Sequence, residues 1–174
     1  MALSPSKAAE ADPQLAAFRR YLLAERNVSA NTLAGYLIDL GQLVTAKWGE
    51  DAEPPYAWPA YGETDARRYV TAFTAEGAAA TTVRRKIAAA RTFFRTLQRA
   101  AIVTDNPFAM LHGPRKAKRL PKTISVSDID RLLALPQQDF EEGTLGAYAA
   151  VRDTAIFEAL YSTGCRVSEM IAVK

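Results

Sequence analysis

Apolar side chains recur every three to four residues along most of the chain, and no stretch alternates with the period of two that marks a half-buried strand. The first such run, about Asp12–Arg26, puts Leu15, Phe18, Leu22 and Leu23 on one side. "NVSANT" then offers Ser29 as the N-cap of a second helix reaching about Trp48, with the stripe Leu33, Tyr36, Leu37, Leu40, Leu43 and Val44. Residues 49–62, "GEDAEPPYAWPAYG", are rich enough in Pro and Gly to predict a loop. A third helix is expected over about Thr64–Glu76, with Tyr69, Val70 and Phe73 inward and Gly77 as its stop. The fourth, about Thr81–Ala101, turns Val83, Ile87, Ala90, Phe94, Leu97 and Ala101 to one side.

The polar side of the fourth helix is unusual. Arg84, Arg85, Arg91, Arg95 and Arg99 gather on it, and it carries no acid. From Gly77 to Lys122 there are eleven Lys/Arg against a single acid, Asp105, so half of the basic residues lie in about a quarter of the chain. The net charge of +3 hides this concentration. A solvated amphipathic helix explains the apolar stripe but usually mixes its surface charges. A one-sided arginine row instead suits a DNA groove, where phosphates attract each charge and base edges accept a guanidinium fork.

Residues 104–123, "TDNPFAMLHGPRKAKRLPKT", hold Pro107, Pro114 and Pro121 and five basic residues, so they are expected to form an extended basic linker. Beyond it, "SVSDIDRLLAL" predicts a helix capped by Ser125 or Ser127 and ended by Pro136. A further helix over about Thr144–Thr163 is expected to bury Val151, Ala155, Ile156, Ala159 and Leu160, with Gly164 as a left-handed cap. Another begins at "RVSEMIAVK". The lone Cys165 and lone His112 exclude an internal disulfide and a Cys/His zinc site within these residues. No run reaches the ~20 apolar residues of a membrane span, and "MALSPSKAAEADPQ" does not read as a secretion leader.

Arg166 follows the helix-ending Gly164 by two residues, with Glu169 three further on. The pair could be an ordinary surface ion pair worth a few tenths of a kcal/mol. The glycine turn, however, fixes where the next helix starts and so where the guanidinium points. An arginine held from behind by a carboxylate is suited to clamp a phosphate in fork geometry.

"LYSTGCRVSEM" resembles the first arginine motif of the tyrosine recombinases, the phage integrase and Xer group, departing from it in Met170 where leucine is usual. "SANTLAGYLIDL" and "TVRRKIAAARTFFRTL" are similar to the second and fourth helices of the Xer core-binding domain, with Arg85 and Arg91 at its recurring arginines. "NP" at 106–107 and "RLPKTISVSDIDRLL" are similar to the domain linker and the first catalytic-domain helix.

The resemblance implies an all-α chain: a flexible N-terminus (1–11), a four-helix SAM-like core-binding domain (12–103), a basic linker (104–123) and the first part of a catalytic domain (124–174). It implies site-specific DNA recombination through a 3′-phosphotyrosine, with no cofactor and no metal. Arg166 takes the role of the first transition-state arginine, and Glu169 orients it. The residues expected to meet DNA are Arg84, Arg85, Lys86, Arg91 and Arg95 of the fourth helix, Asn31 and Thr32 of the second, and Arg115, Lys116, Lys118 and Arg119 of the linker. The family's catalytic lysine, His-x-x-Arg motif, later His or Trp and nucleophilic tyrosine match nothing in these residues; Tyr148 and Tyr161 are expected in the core. The residues given are therefore expected to bind DNA without cutting it. The implied partners are a duplex recombination site, a tetramer of recombinases on two sites and a divisome DNA translocase, in the cytoplasm at the nucleoid. Chromosome or plasmid dimer resolution is the expected role. A phage or integron integrase and a non-catalytic helical DNA-binding module remain the alternatives.

Overall fold

The computed structural model describes residues 11–115 and 123–172, and the chain divides into two compact units, within 1–117 and 118–174. Of the expected flexible N-terminus 1–11, residues 1–10 lie outside the described residues, as do 116–122 and 173–174. Among the described residues all regular structure is helical: α1 (Pro13–Ala24), α2 (Ala30–Trp48), α3 (Glu63–Ala75), α4 (Ala80–Arg99), α5 (Val126–Glu141), α6 (Ala147–Thr163) and α7 (Val167–Ile171), with one 3₁₀ turn at Trp58–Ala60.

In the first unit the other three helices pack around α4, whose inner side buries Val83, Ile87, Ala89, Ala90, Phe93, Phe94 and Leu97. Leu15, Phe18 and Leu22 of α1 and Leu40, Leu43 and Val44 of α2 complete that core, with Ala66 and Tyr69 from α3. Ser29 caps α2 by accepting the Thr32 N–H. Two inward assignments change. Leu23 sits at the edge of the α1 stripe and is exposed. Ala101 lies past the end of α4 with a positive φ of 54°, so it faces solvent.

The Pro/Gly-rich segment 49–62 is more than a loop. Tyr56, Trp58 and Tyr61 are buried, and the Trp58 ring stands edge-on to Phe93 with centroids 4.7 Å apart. Asp12 holds this segment in place. Its carboxylate, fully buried, accepts the Gln14 and Leu15 N–H groups at the start of α1 and also the Tyr56 N–H and the Trp58 Nε1–H.

Residues 104–111 differ from the extended linker the prolines predict. Phe108 is fully buried against Tyr61, Tyr69 and Phe94. The Asn106 side chain donates to Arg91 O and accepts from the Phe108 N–H, so a short strap is folded back along α4. Gly113 continues it so closely that a Cβ there would stand 2.5 Å from Arg84 Cγ and 3.4 Å from its Cα. Proline forbids a helix here but not a docked turn, and the aromatic at 108 supplies the docking.

In the second unit α5 packs on α6, and α7 adjoins α6. Ser125 caps α5, accepting the Asp128 N–H. Pro136 does not end α5, which runs on to Glu141. A proline removes one backbone hydrogen bond, and here the ring is buried within the unit, which offsets that loss. Gly164 ends α6 in the left-handed region at φ 63°. The expected burial along α6 is not reached: Val151 is 71 % exposed, Ala155 is exposed, Ile156, Ala159 and Leu160 are half-buried, and Ala150 is the buried residue. Tyr148 and Tyr161, expected in the core, are exposed as well. The stripe predicts an inner face correctly only where a second layer covers it, and α6 meets one neighbouring layer among the described residues.

Candidate nucleic-acid interface and phosphate clamp

α4 presents its arginines over an arc of roughly 120° at 100° per residue, and their surroundings divide them. Arg91, at one edge, is half-buried and turned onto the strap: Nε donates to Phe108 O at 3.0 Å and Nη2 to Leu111 O. Arg85, at the other edge, reaches α2, where its Nη1 donates to the Asp39 carboxylate and to Gly35 O. Lys86 points inward. It is 5 % exposed, its Nζ donates to Asp39 Oδ1 at 3.1 Å and to Gln42 Oε1, and it lies 4.2 Å above the centre of the Phe73 ring. Between these edges Arg84 and Arg95 are exposed, Arg84 against Gly113.

Asn31 and Thr32, in the first turn of α2, are exposed and line a shallow groove with Gly35, Tyr36, Ile38 and Arg85. The structure thus brings Asn31, Thr32 and Arg85 together on one surface and turns Lys86 and Arg91 away from it. Arg115 is exposed, and Lys116, Lys118 and Arg119 lie outside the described residues. Replacing Arg91 by Met is expected to cost about 1–2 kcal/mol, because two strap carbonyls lose a charged donor but can be rehydrated. Urea unfolding of the chain followed by far-UV circular dichroism checks this.

Asp39 is the residue that sequence reasoning missed. It is a buried acid in an otherwise apolar stretch of α2, 1 % exposed, and it faces two cations from α4. The Tyr69 hydroxyl donates to its backbone carbonyl, and burial first, then the Asp39 charge, raise the Tyr69 phenol well above its ordinary range. An acid on the inner face of an apolar helix is the local signal. The cations on its carboxylate lie more than forty residues away, so only the tertiary structure names them.

In the second unit Arg166 is the N-cap of α7 and 82 % exposed. Glu169 folds back onto it with both oxygens: Oε2 accepts the Arg166 backbone N–H at 2.8 Å and Oε1 accepts Nη1 at 2.9 Å. That backbone hydrogen bond first, and the guanidinium second, hold the Glu169 carboxyl below its usual range, so it stays anionic behind the arginine. Nε and Nη2 of Arg166 have no hydrogen-bond partner among the described residues, which leaves one edge of the fork for an anion. No group of three potential metal-ligating side chains occurs among the described residues, and no helix there is long and apolar enough to cross a membrane.

The family model described as phage integrase, N-terminal SAM-like domain, matches residues 15–101, half of the chain. The chain belongs to that family. Among the curated proteins it is similar to are several tyrosine recombinases. The protein is 35 % identical over 165 residues to tyrosine recombinase XerD of Agrobacterium fabrum, covering 92 % of this chain and 47 % of that one. It is 34 % identical over 160 residues to tyrosine recombinase XerC of Herpetosiphon aurantiacus, covering 92 % and 49 %. With tyrosine recombinase XerC of Bacillus subtilis the identity is 31 % over 156 residues, covering 90 % and 48 %. This phage-integrase-family chain spans about half the length of the curated relatives it matches. No solved structure matches it.

Proposed function

We propose that α2 and α4 bind duplex DNA and that the chain is part of a tyrosine recombinase that cuts and rejoins DNA at a specific site. One observation carries this most: Arg166 stands exposed at a helix start, held by its own Glu169 with part of the fork open, in a chain about one-third identical to tyrosine recombinases.

In that chemistry a tyrosine oxygen attacks the phosphorus, the bond to the 5′-oxygen breaks, and the 5′-oxygen leaves as a hydroxyl. The phosphotyrosine retains the energy of the original bond for rejoining, so no nucleotide is hydrolysed. Arg166 would neutralise the non-bridging oxygens as charge builds on them, and Glu169 would fix its direction. The nucleophile would come from outside residues 1–174, so these residues alone would bind without cutting. Resolution of chromosome or plasmid dimers in the cytoplasm, by a tetramer on two sites working with a divisome translocase, is the role this assigns to the whole protein.

DNA binding is tested by fluorescence anisotropy with a labelled duplex of random sequence at several salt concentrations. The folded chain should bind, with affinity falling as salt rises. Arg85→Ala should reduce the log–log slope by about 0.9, the share of one phosphate contact. Lys86→Met and Arg91→Met, whose charges are occupied inside the fold, should leave the slope unchanged. A folded chain with no salt-dependent affinity for duplex would sink the proposal.

A further inference from the structure

We propose that Asp39 is a positioning residue for DNA recognition: from inside the bundle it holds the Arg85 guanidinium in place at the groove lined by Asn31 and Thr32. The inference rests on the DNA-binding role of α2 and α4 and adds the group that sets its geometry.

The Asp39 side chain is 1 % exposed while that of Arg85 is 45 % exposed, so the pair runs from the interior to the surface. Nη1 alone makes the inward contacts, to the Asp39 carboxylate and to Gly35 O. Among the described residues Nε and Nη2 have no hydrogen-bond partner. That edge is one of the two-donor faces with which a guanidinium meets a phosphate or a guanine edge. An unrestrained arginine on a helix surface samples many rotamers and must be immobilised on binding, at a cost of about 0.5–1.5 kcal/mol. Here the immobilisation is built into the fold.

Lys86 explains how Asp39 is tolerated in the interior. Its ammonium takes Oδ1 at 3.1 Å while Arg85 takes Oδ2, so both carboxylate oxygens have a cation and the cluster carries a net positive charge. Substituting Asp39 alone would strand the Lys86 charge, so the decisive variant is Asp39→Asn combined with Lys86→Met. It changes no net charge and leaves no buried ion unpaired. A long-range electrostatic effect on DNA is thereby removed from the comparison.

Affinity for the random-sequence duplex is measured by anisotropy for the unaltered chain, Asp39→Asn/Lys86→Met, Arg85→Ala and the triple variant, with the melting transition recorded for each. The double variant should bind about 2- to 12-fold more weakly, with the salt slope unchanged, because the Arg85 charge is still present. In the Arg85→Ala background the same two substitutions should have no further effect. Unaltered affinity in the folded double variant overturns the inference, as does a full-size loss that persists without Arg85. The two failures separate cleanly: if Arg85→Ala itself changes nothing, the interface on α2 and α4 is wrong, and the role of Asp39 falls with it. If Arg85→Ala weakens binding and the double variant does not, the interface stands and Asp39 is only structural.

Discussion

Replacing Arg166 by alanine, in a longer form of this chain that carries a nucleophilic tyrosine, is expected to slow strand cleavage by ~10²–10³-fold, the loss seen when one preorganised charge-stabilising donor is removed. Site binding should change little, since other phosphate contacts remain. The expectation follows from the geometry at α7. Glu169 uses both oxygens on Arg166, one on the backbone and one on Nη1, and the opposite edge of the fork is open. Arg166→Lys keeps the charge but loses the planar pair of donors, so it should not restore cleavage. A substrate nicked beside the cleavage point traps the covalent protein–DNA adduct and gives the rate. Adduct formation by Arg166→Ala at the unaltered rate would reduce the residue to the surface partner of Glu169.

The second large effect is on stability and comes from Asp12. Asp12→Ala should destabilise the first unit by about 3–7 kcal/mol. About 1 kcal/mol is the lost helix cap, and the rest is two buried donors, the Tyr56 N–H and the Trp58 Nε1–H, left without an acceptor at about 1–3 kcal/mol each. For a unit of this size the melting temperature should fall by more than about 12 °C. Asp12→Asn retains one acceptor oxygen but turns an NH2 group toward the other donors, so it should lose only part of this. Urea unfolding followed by the fluorescence of Trp48 and Trp58 measures both. An alanine variant as stable as the unaltered chain would show that water replaces the carboxylate.

Periodicity carried the helices because local spacing records which side of a helix is inward. The four helices of the first unit, the Ser29 cap and the Gly164 stop were all legible for that reason. Contacts that join distant segments leave no periodic trace. Asp12 reads in the sequence as the edge of a helix and Asp39 draws no reading of its own, yet each fixes residues more than forty positions away. The arginine row on α4 was also legible as a row, but its division was not. Which arginines face outward depends on Asp39 at one edge and on the strap at the other, and neither belongs to the helix. In the second unit the motif around Arg166 was legible because its parts lie within three residues. The exposure of Val151 and Tyr161 was not, because a stripe gives a direction without saying what covers it.

The strap fixes a count as well as a shape. Asn106, Phe108, Leu111 and Gly113 each meet α4 at a set position, at Arg91 O, in the aromatic core, at the Arg91 guanidinium and against Arg84. One residue inserted between Asn106 and Leu111 would move Phe108 out of the core or carry a carbonyl out of Arg91's reach. Length variation among homologous chains should therefore be scarce in these few positions, although prolines and glycines make the segment look permissive to indels.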